Sequence, residues 1–142
     1  MKYLLDTNVV SELVKLVPDA GVVRFLAEAD DSVVALSVIT LAELRYGVEG
    51  LAPGAKREGL TRWLEDELPR RFDGRILGID DVAAAEWGRT MARAERAGRP
   101  MSEMDAWLAA LASVHRLVLV TRNGDDFSGF PGEVLNPWES HQ

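Results

Sequence analysis

Met1-Lys2-Tyr3-Leu4-Leu5-Asp6-Thr7-Asn8-Val9-Val10 is the stretch that decides the fold of this chain. Its apolar run, Tyr3-Leu4-Leu5, is ended by an aspartate and is too short for a helix. It reads as a strand over 2–5 buried on both faces, the form that strands take in a parallel sheet. Thr7 and Asn8 then supply cap chemistry for a helix near 9–16. The same pattern recurs further on. Val33-Val34-Ala35-Leu36 is a second apolar strand, and Ser37 or Thr40 caps a helix over 38–49. Residues 75–79 form a third, with Asp80 or Asp81 capping a helix that runs to Ala97. Val118-Leu119-Val120-Thr121 is a fourth, preceded by a helix that Ser102 caps and that ends near His115. Residues 20–29 add a short helix after Pro18. Residues 55–67 add a longer one, ended by Pro69. A last short strand falls at Val134-Leu135. Strands alternating with helices predict an α/β fold with a mainly parallel central sheet.

Composition narrows the function. The chain has 142 residues, the size of one domain, and is 47% hydrophobic, enough for a real core. It has no cysteine, which rules out disulfides, thiolate metal sites and a cysteine nucleophile. Two histidines, His115 and His141, make a histidine-rich zinc site a poor reading. No stretch approaches the ~20 apolar residues of a membrane span, and the opening run is not a secretory leader, so a cytoplasmic protein with no membrane partner is expected. The net charge is −7, where a binder of duplex DNA would normally be basic. Two readings fit that charge: carboxylates offset locally by bound metal, or an acidic surface that faces a basic protein partner.

The acids that matter stand at the ends of regular elements. Asp6 ends the first strand, Glu43 lies on the helix after the second, Asp105 starts the helix before the fourth, and Asp126 follows the fourth. In parallel sheets ligands bind beyond the carboxyl ends of the strands, so the topology lets all four point at one edge. Each also has an ordinary reading. Asp6 suits an N-cap, Thr40-x-x-Glu43 and Ser102-x-x-Asp105 look like capping boxes, and Asp126 suits a loop. Periodicity weighs against the ordinary reading for two of them. Asp105 shares a helix side with Leu108, Ala109 and Ala112, and Glu43 shares one with Ile39, Ala42, Tyr46 and Gly47. A carboxylate on a buried side is costly unless something pairs with it, and a hard divalent cation would.

These motifs together resemble the PIN-domain nucleases, and more narrowly the VapC toxins of bacterial toxin–antitoxin pairs, including their FitB-like branch. The resemblance is carried by Asp6-Thr7-Asn8-Val9, by Leu41-Ala42-Glu43-Leu44-Arg45-Tyr46-Gly47, by the Asp105 helix, by Leu119-Val120-Thr121-Arg122-Asn123-Gly124-Asp125-Asp126-Phe127 and by Leu135-Asn136-Pro137-Trp138. It implies that residues 1–142 form a single PIN-like domain with a three-layer α/β/α architecture. It implies the toxin of a type II toxin–antitoxin pair, a metal-dependent endoribonuclease that hydrolyses phosphodiester bonds of single-stranded RNA with Mg²⁺, or with Mn²⁺ in its place.

In residue terms, the resemblance makes Asp6, Glu43 and Asp105 the catalytic and metal-binding acids. The fourth position falls on Asp126 or on Asn123, which carries no charge. Thr7, Asn8, Arg45, Thr121, Arg122 and Asn123 become candidates for substrate contact, with Arg99 and Arg116 as further candidates for phosphate, and for each arginine pairing with a surface acid is the ordinary reading. The implied partners are a cognate antitoxin whose basic C-terminal segment enters the acidic groove, operator DNA reached only through that antitoxin, and a second copy in a homodimer. Val22, Phe25, Leu60, Trp63 and Leu64 are candidate apolar surface for those contacts, with a core role as the ordinary reading. The rival function is a non-catalytic PIN-like module that acts only within an antitoxin–operator complex.

Overall fold

The computed structural model describes residues 1–139; His141 lies outside the described residues. Strands β1 (Tyr3–Leu5), β2 (Val34–Ser37), β3 (Ile76–Leu77), β4 (Val118–Val120) and β5 (Val134–Leu135) form one sheet in the order β3-β2-β1-β4-β5. Every neighbouring pair is parallel, with Leu4 opposite Ala35 on one side and Leu119 on the other. The short apolar strands are those the sequence predicts, and β1 is central because both of its faces are apolar.

Period-two alternation divides the core between two layers. Leu4, Ala35 and Leu119 face α6 (Asp81–Arg96) and α7 (Glu103–Val114). Leu5, Val34, Leu36 and Val120 face the other way, onto α1 (Thr7–Glu12), α2 (Ala20–Glu28), part of α3 (Val38–Glu49), and the α4 (Ala55–Arg62) to α5 (Leu68–Arg71) arm. The expected three-layer α/β/α architecture is what the chain adopts. Among the described residues no helix is long and apolar enough to cross a membrane.

Several local expectations are corrected. Asp6, not Thr7 or Asn8, is the N-cap of α1, which begins at Thr7 and stops at Glu12. Ser37 caps α3 by accepting from the Thr40 backbone N–H at 3.2 Å, so Thr40 does not start a capping box of its own. Pro69 does not end the helix after residue 55. A π-helical turn at Trp63–Glu67 intervenes, in which the Leu68 N–H donates to the Trp63 carbonyl. That turn places Pro69 in the first turn of α5, where its missing N–H leaves nothing unsatisfied.

Val22 and Leu64 are buried, and Phe25, Leu60 and Trp63 pack partly buried against the same core, so the core reading of these residues prevails. The most exposed large apolar groups among the described residues lie elsewhere, at Leu16, Val17 and Tyr46.

Helix α7 is buried on nearly every side, with Ala106, Leu108, Ala109, Ala110, Leu111 and Ala112 inaccessible or almost so. Its alanines let the helix lie close on the sheet, and that depth sets where Asp105 stands. Ala109→Leu is expected to lower stability by about 1–3 kcal/mol through overpacking. Urea unfolding checks this, and an unchanged midpoint would contradict such tight packing.

Candidate active site at the carboxyl ends of the strands

Asp6 follows β1 at the centre of the sheet. Its backbone N–H donates to the Val120 carbonyl at 2.8 Å, which continues the β1–β4 pairing by one residue. Its carbonyl accepts from the Val9 and Val10 N–H groups and so starts α1. The carboxylate is therefore aimed from a point where a strand and a helix both fix the main chain. It accepts from the Thr7 N–H at 2.7 Å and from the Thr121 hydroxyl at 2.8 Å. Asp6 thus caps α1 while its carboxylate stands at the end of the central strand.

Thr121 is a fixed donor. It is fully buried, and having given its proton to Asp6 it accepts from the Asn123 N–H at 3.1 Å and from the Asn8 side-chain amide at 3.4 Å. Asn8 returns the contact, accepting from the Arg122 N–H at 3.4 Å. The segment after β4 is thereby tied to the start of α1.

Glu43 is held by a relay of hydroxyls. Thr7 donates to its carboxylate at 2.6 Å and stands 3.2 Å from the Thr40 hydroxyl, which is fully buried. With one proton each, Thr40 donates to Thr7 and Thr7 to Glu43. Thr40 is a site residue that sequence reasoning placed only as a cap. Its position three residues before Glu43 on one helix face is the signal that finds it. The expectation that Glu43 shares a buried face with Tyr46 is wrong. Tyr46 is 85% exposed, and Glu43 is half-buried at the rim.

Asp105 is half-buried in the first turn of α7, where the Ser102 hydroxyl accepts from its backbone N–H at 3.1 Å. Asp126 is exposed on a short 3₁₀ turn after β4. Neighbouring acids act on Asp6 and Asp105. Burial pushes the Asp6 carboxyl up to about 6, against the pull of Thr121 and Thr7, and the charges of Asp105 and Glu43 push the same way. Burial also raises Asp105, with Asp126 and Glu43 adding to the effect. The Asp126 charge thus reaches Asp105 from the segment after β4. Among the described residues none of the four carboxylates has a lysine, arginine or histidine ion-pair partner.

The charge and donor set bear on a divalent cation. Like charges gathered around a buried aspartate, with no cationic side chain to relieve them, are what a metal would stabilise. All the donors are hard oxygens. Among the described residues, however, no three acidic side chains stand close enough to enclose an ion by themselves. The set suits a cation that keeps several waters and takes few protein ligands, as Mg²⁺ does, and not a fully dehydrated ion in a cage.

The candidate substrate contacts separate. Thr7, Asn8, Thr121, Arg122 and Asn123 stand with the acids. Arg45 does not. Its guanidinium pairs with Glu65 at 3.0 Å and Glu49 at 3.8 Å, in a groove shared with Arg57 and Arg62. Arg116 lies before β4, at the opposite end of the strands from the acids, so it is no candidate for phosphate at this site. Arg99 donates to the Asp125 carbonyl at 3.3 Å. Trp87 and Trp107 stack on each other at 5.1 Å between α6 and α7.

Comparison with known proteins bears on this site. The PIN domain family model matches residues 3–132. The chain is 38% identical to the toxin FitB of Neisseria gonorrhoeae, over 95% of this chain and 97% of that protein. It is 35% identical to the VapC ribonuclease Y4jK of Sinorhizobium fredii, over 96% and 97%. The structure of FitAB bound to an IR36 DNA fragment contains a chain that superposes with a TM-score of 0.91 at 36% identity, covering 99% of both chains.

The raised Asp6 carboxyl has a consequence for stability. Its folded-state value of about 6 lies above the ordinary 3.8, so the native state binds this proton more tightly than the unfolded chain does. The contribution is fully present below the ordinary value and is lost as pH rises through about 6, amounting to about 3 kcal/mol for a shift of this size. In EDTA, Asp6→Asn should flatten the fall in unfolding free energy across that window. Equal pH profiles for the variant and the wild type would contradict the burial of this charge.

Proposed function

The chain belongs to the PIN-domain family, and on that premise we propose that it is the toxin of a type II toxin–antitoxin pair, a cytoplasmic metal-dependent endoribonuclease that cuts single-stranded RNA. The observation that carries this reading is the buried Asp6, fixed by Thr121 and Thr7, with Glu43 and Asp105 repelling it and, among the described residues, no ion-pair partner. The RNA cleavage and toxin roles are supported by the VapC ribonuclease and FitB toxin relatives.

Asp6 and Asp105 would hold Mg²⁺, or Mn²⁺ in its place, with Glu43 and Asp126 at the margin of the same charge. When bound, such an ion stabilises charge on a phosphate and makes a water more acidic. The protein's own part is positioning. Thr121 fixes the orientation of the Asp6 carboxylate and favours its ionised form. Thr40 and Thr7 set the rotamer of Glu43. Asn8 and Asn123 tie the strand ends that carry these groups.

The partner would be a small antitoxin. Its basic segment would find in the four acids a site that lacks a cation, and it would contact operator DNA on the complex's behalf. The structure of the FitAB complex on a DNA fragment supports that arrangement. A homodimer belongs to the same proposal.

Purified protein freed of antitoxin should cut labelled single-stranded RNA in Mg²⁺ or Mn²⁺ and not in EDTA. Asp6→Ala and Asp105→Ala should each lower the rate by about 10²-fold or more while the fold survives. Gel assays with circular dichroism as the folding control check this. Wild-type rates in a folded Asp6→Ala variant would remove the assignment and favour a non-catalytic module that acts only within an antitoxin–operator complex.

A further inference from the structure

On the far side of Asp126 the acid edge runs into a cleft lined by Arg122, Asn123, Asp125, Asp126, Val134 and Asn136. Among the described residues that line it, Arg122 is the basic one. Its guanidinium carbon lies 5.2 Å from the centre of the Trp138 ring, and among the described residues it has no carboxylate partner. Arg45, Arg57 and Arg93, by contrast, are tied to glutamates.

The Arg122 main chain is held on both sides. Its N–H donates to Asn8 on α1, and its carbonyl accepts from the Asn136 side-chain amide at 3.3 Å. Asn136 in turn accepts from the Trp138 N–H at 3.0 Å, and the indole packs partly buried against the core beneath the sheet. The neighbouring Thr121 is the residue that holds Asp6. One short stretch of chain therefore carries the anchor of the central acid and, next to it, a planar cation laid on an aromatic face.

We propose that Arg122, laid on Trp138, is a positioning residue that clamps a backbone phosphate of the RNA strand next to the one that is cut. This rests on the nuclease reading and deepens it. Four acids repel a polyanion, so the strand needs a fixed positive group beside them. A guanidinium already ordered by stacking offers its donors to a phosphate with little further loss of freedom. A clamp on a neighbouring phosphate acts alike in the ground state and the transition state, so it governs KM more than kcat.

The test uses full-length protein, with Arg122→Ala, Arg122→Lys, Trp138→Leu and Trp138→Phe. Each is assayed for single-stranded RNA cleavage in Mg²⁺, for binding of fluorescent RNA by anisotropy across a salt series, and for thermal unfolding. Arg122→Ala should raise KM and Kd about tenfold or more, change kcat by less than about threefold, and reduce the salt slope by about 0.7. Arg122→Lys should recover the salt slope and only part of the affinity, because an ammonium does not stack. Trp138→Leu should mimic it, and Trp138→Phe should restore most of the loss. Wild-type KM and salt slope in a folded Arg122→Ala protein would overturn the clamp while leaving the nuclease intact. Loss confined to kcat, or tracking thermal stability alone, would also overturn it. A wild-type protein that neither binds nor cuts RNA would overturn the nuclease reading and this one with it.

Discussion

A carboxylate that is almost wholly out of water, at the end of the central strand, is the constraint on which the rest of this structure depends. Asp6 is 8% exposed, accepts two hydrogen bonds, and still has its proton affinity raised by burial and by Asp105 and Glu43. Hydrogen bonds alone do not make this charge comfortable. Its surroundings supply hydroxyls and further acids where a structural aspartate would meet an arginine. The same feature lowers the stability of the fold as pH rises toward neutrality.

The topology explains how the acid comes to stand there. The chain lays down β1, β2 and β3 outward in one direction, then returns across the sheet to place β4 and β5 on the other side of β1. The order reverses between β1 and β4, and a crevice opens where connections leave in opposite directions. Asp6 stands on one bank and Thr121 on the other, 2.8 Å apart through their side chains. Glu43 arrives on the helix after β2 and Asp105 on the helix before β4, so the acids come from four separate connections. The fold supplies convergence, and the hydroxyls of Thr7, Thr40 and Thr121 supply orientation.

Much of this was legible in the residues. The strands could be read because each is short, apolar and followed by cap chemistry, and α3 runs over the predicted 38–49 because Ser37 and Gly50 bound it. The convergence of Asp6, Glu43 and Asp105 followed from a parallel sheet. What escaped depends on tertiary contacts. Pro69 looked like a terminator, and only the π turn before it shows how the helical arm continues. Arg45 lies next to an active-site motif in sequence, but the twist of α3 carries it to Glu49 and Glu65. Arg116 was near β4 in sequence and at its wrong end in space. Thr40 looked like a cap because its link to Thr7 spans thirty-three residues. The pairing of Arg122 with Trp138 joins two motifs that sequence alone leaves separate.

The central claim is that the acid edge between β1 and β4 is a cation site built around Asp6. Anomalous scattering from crystals of the antitoxin-free protein soaked in Mn²⁺ tests it most directly. A peak touching the Asp6 and Asp105 carboxylates is expected, absent from Asp6→Asn crystals soaked in the same way. A peak only at other acids, or none at this edge in crystals that hold Mn²⁺ elsewhere, would contradict it.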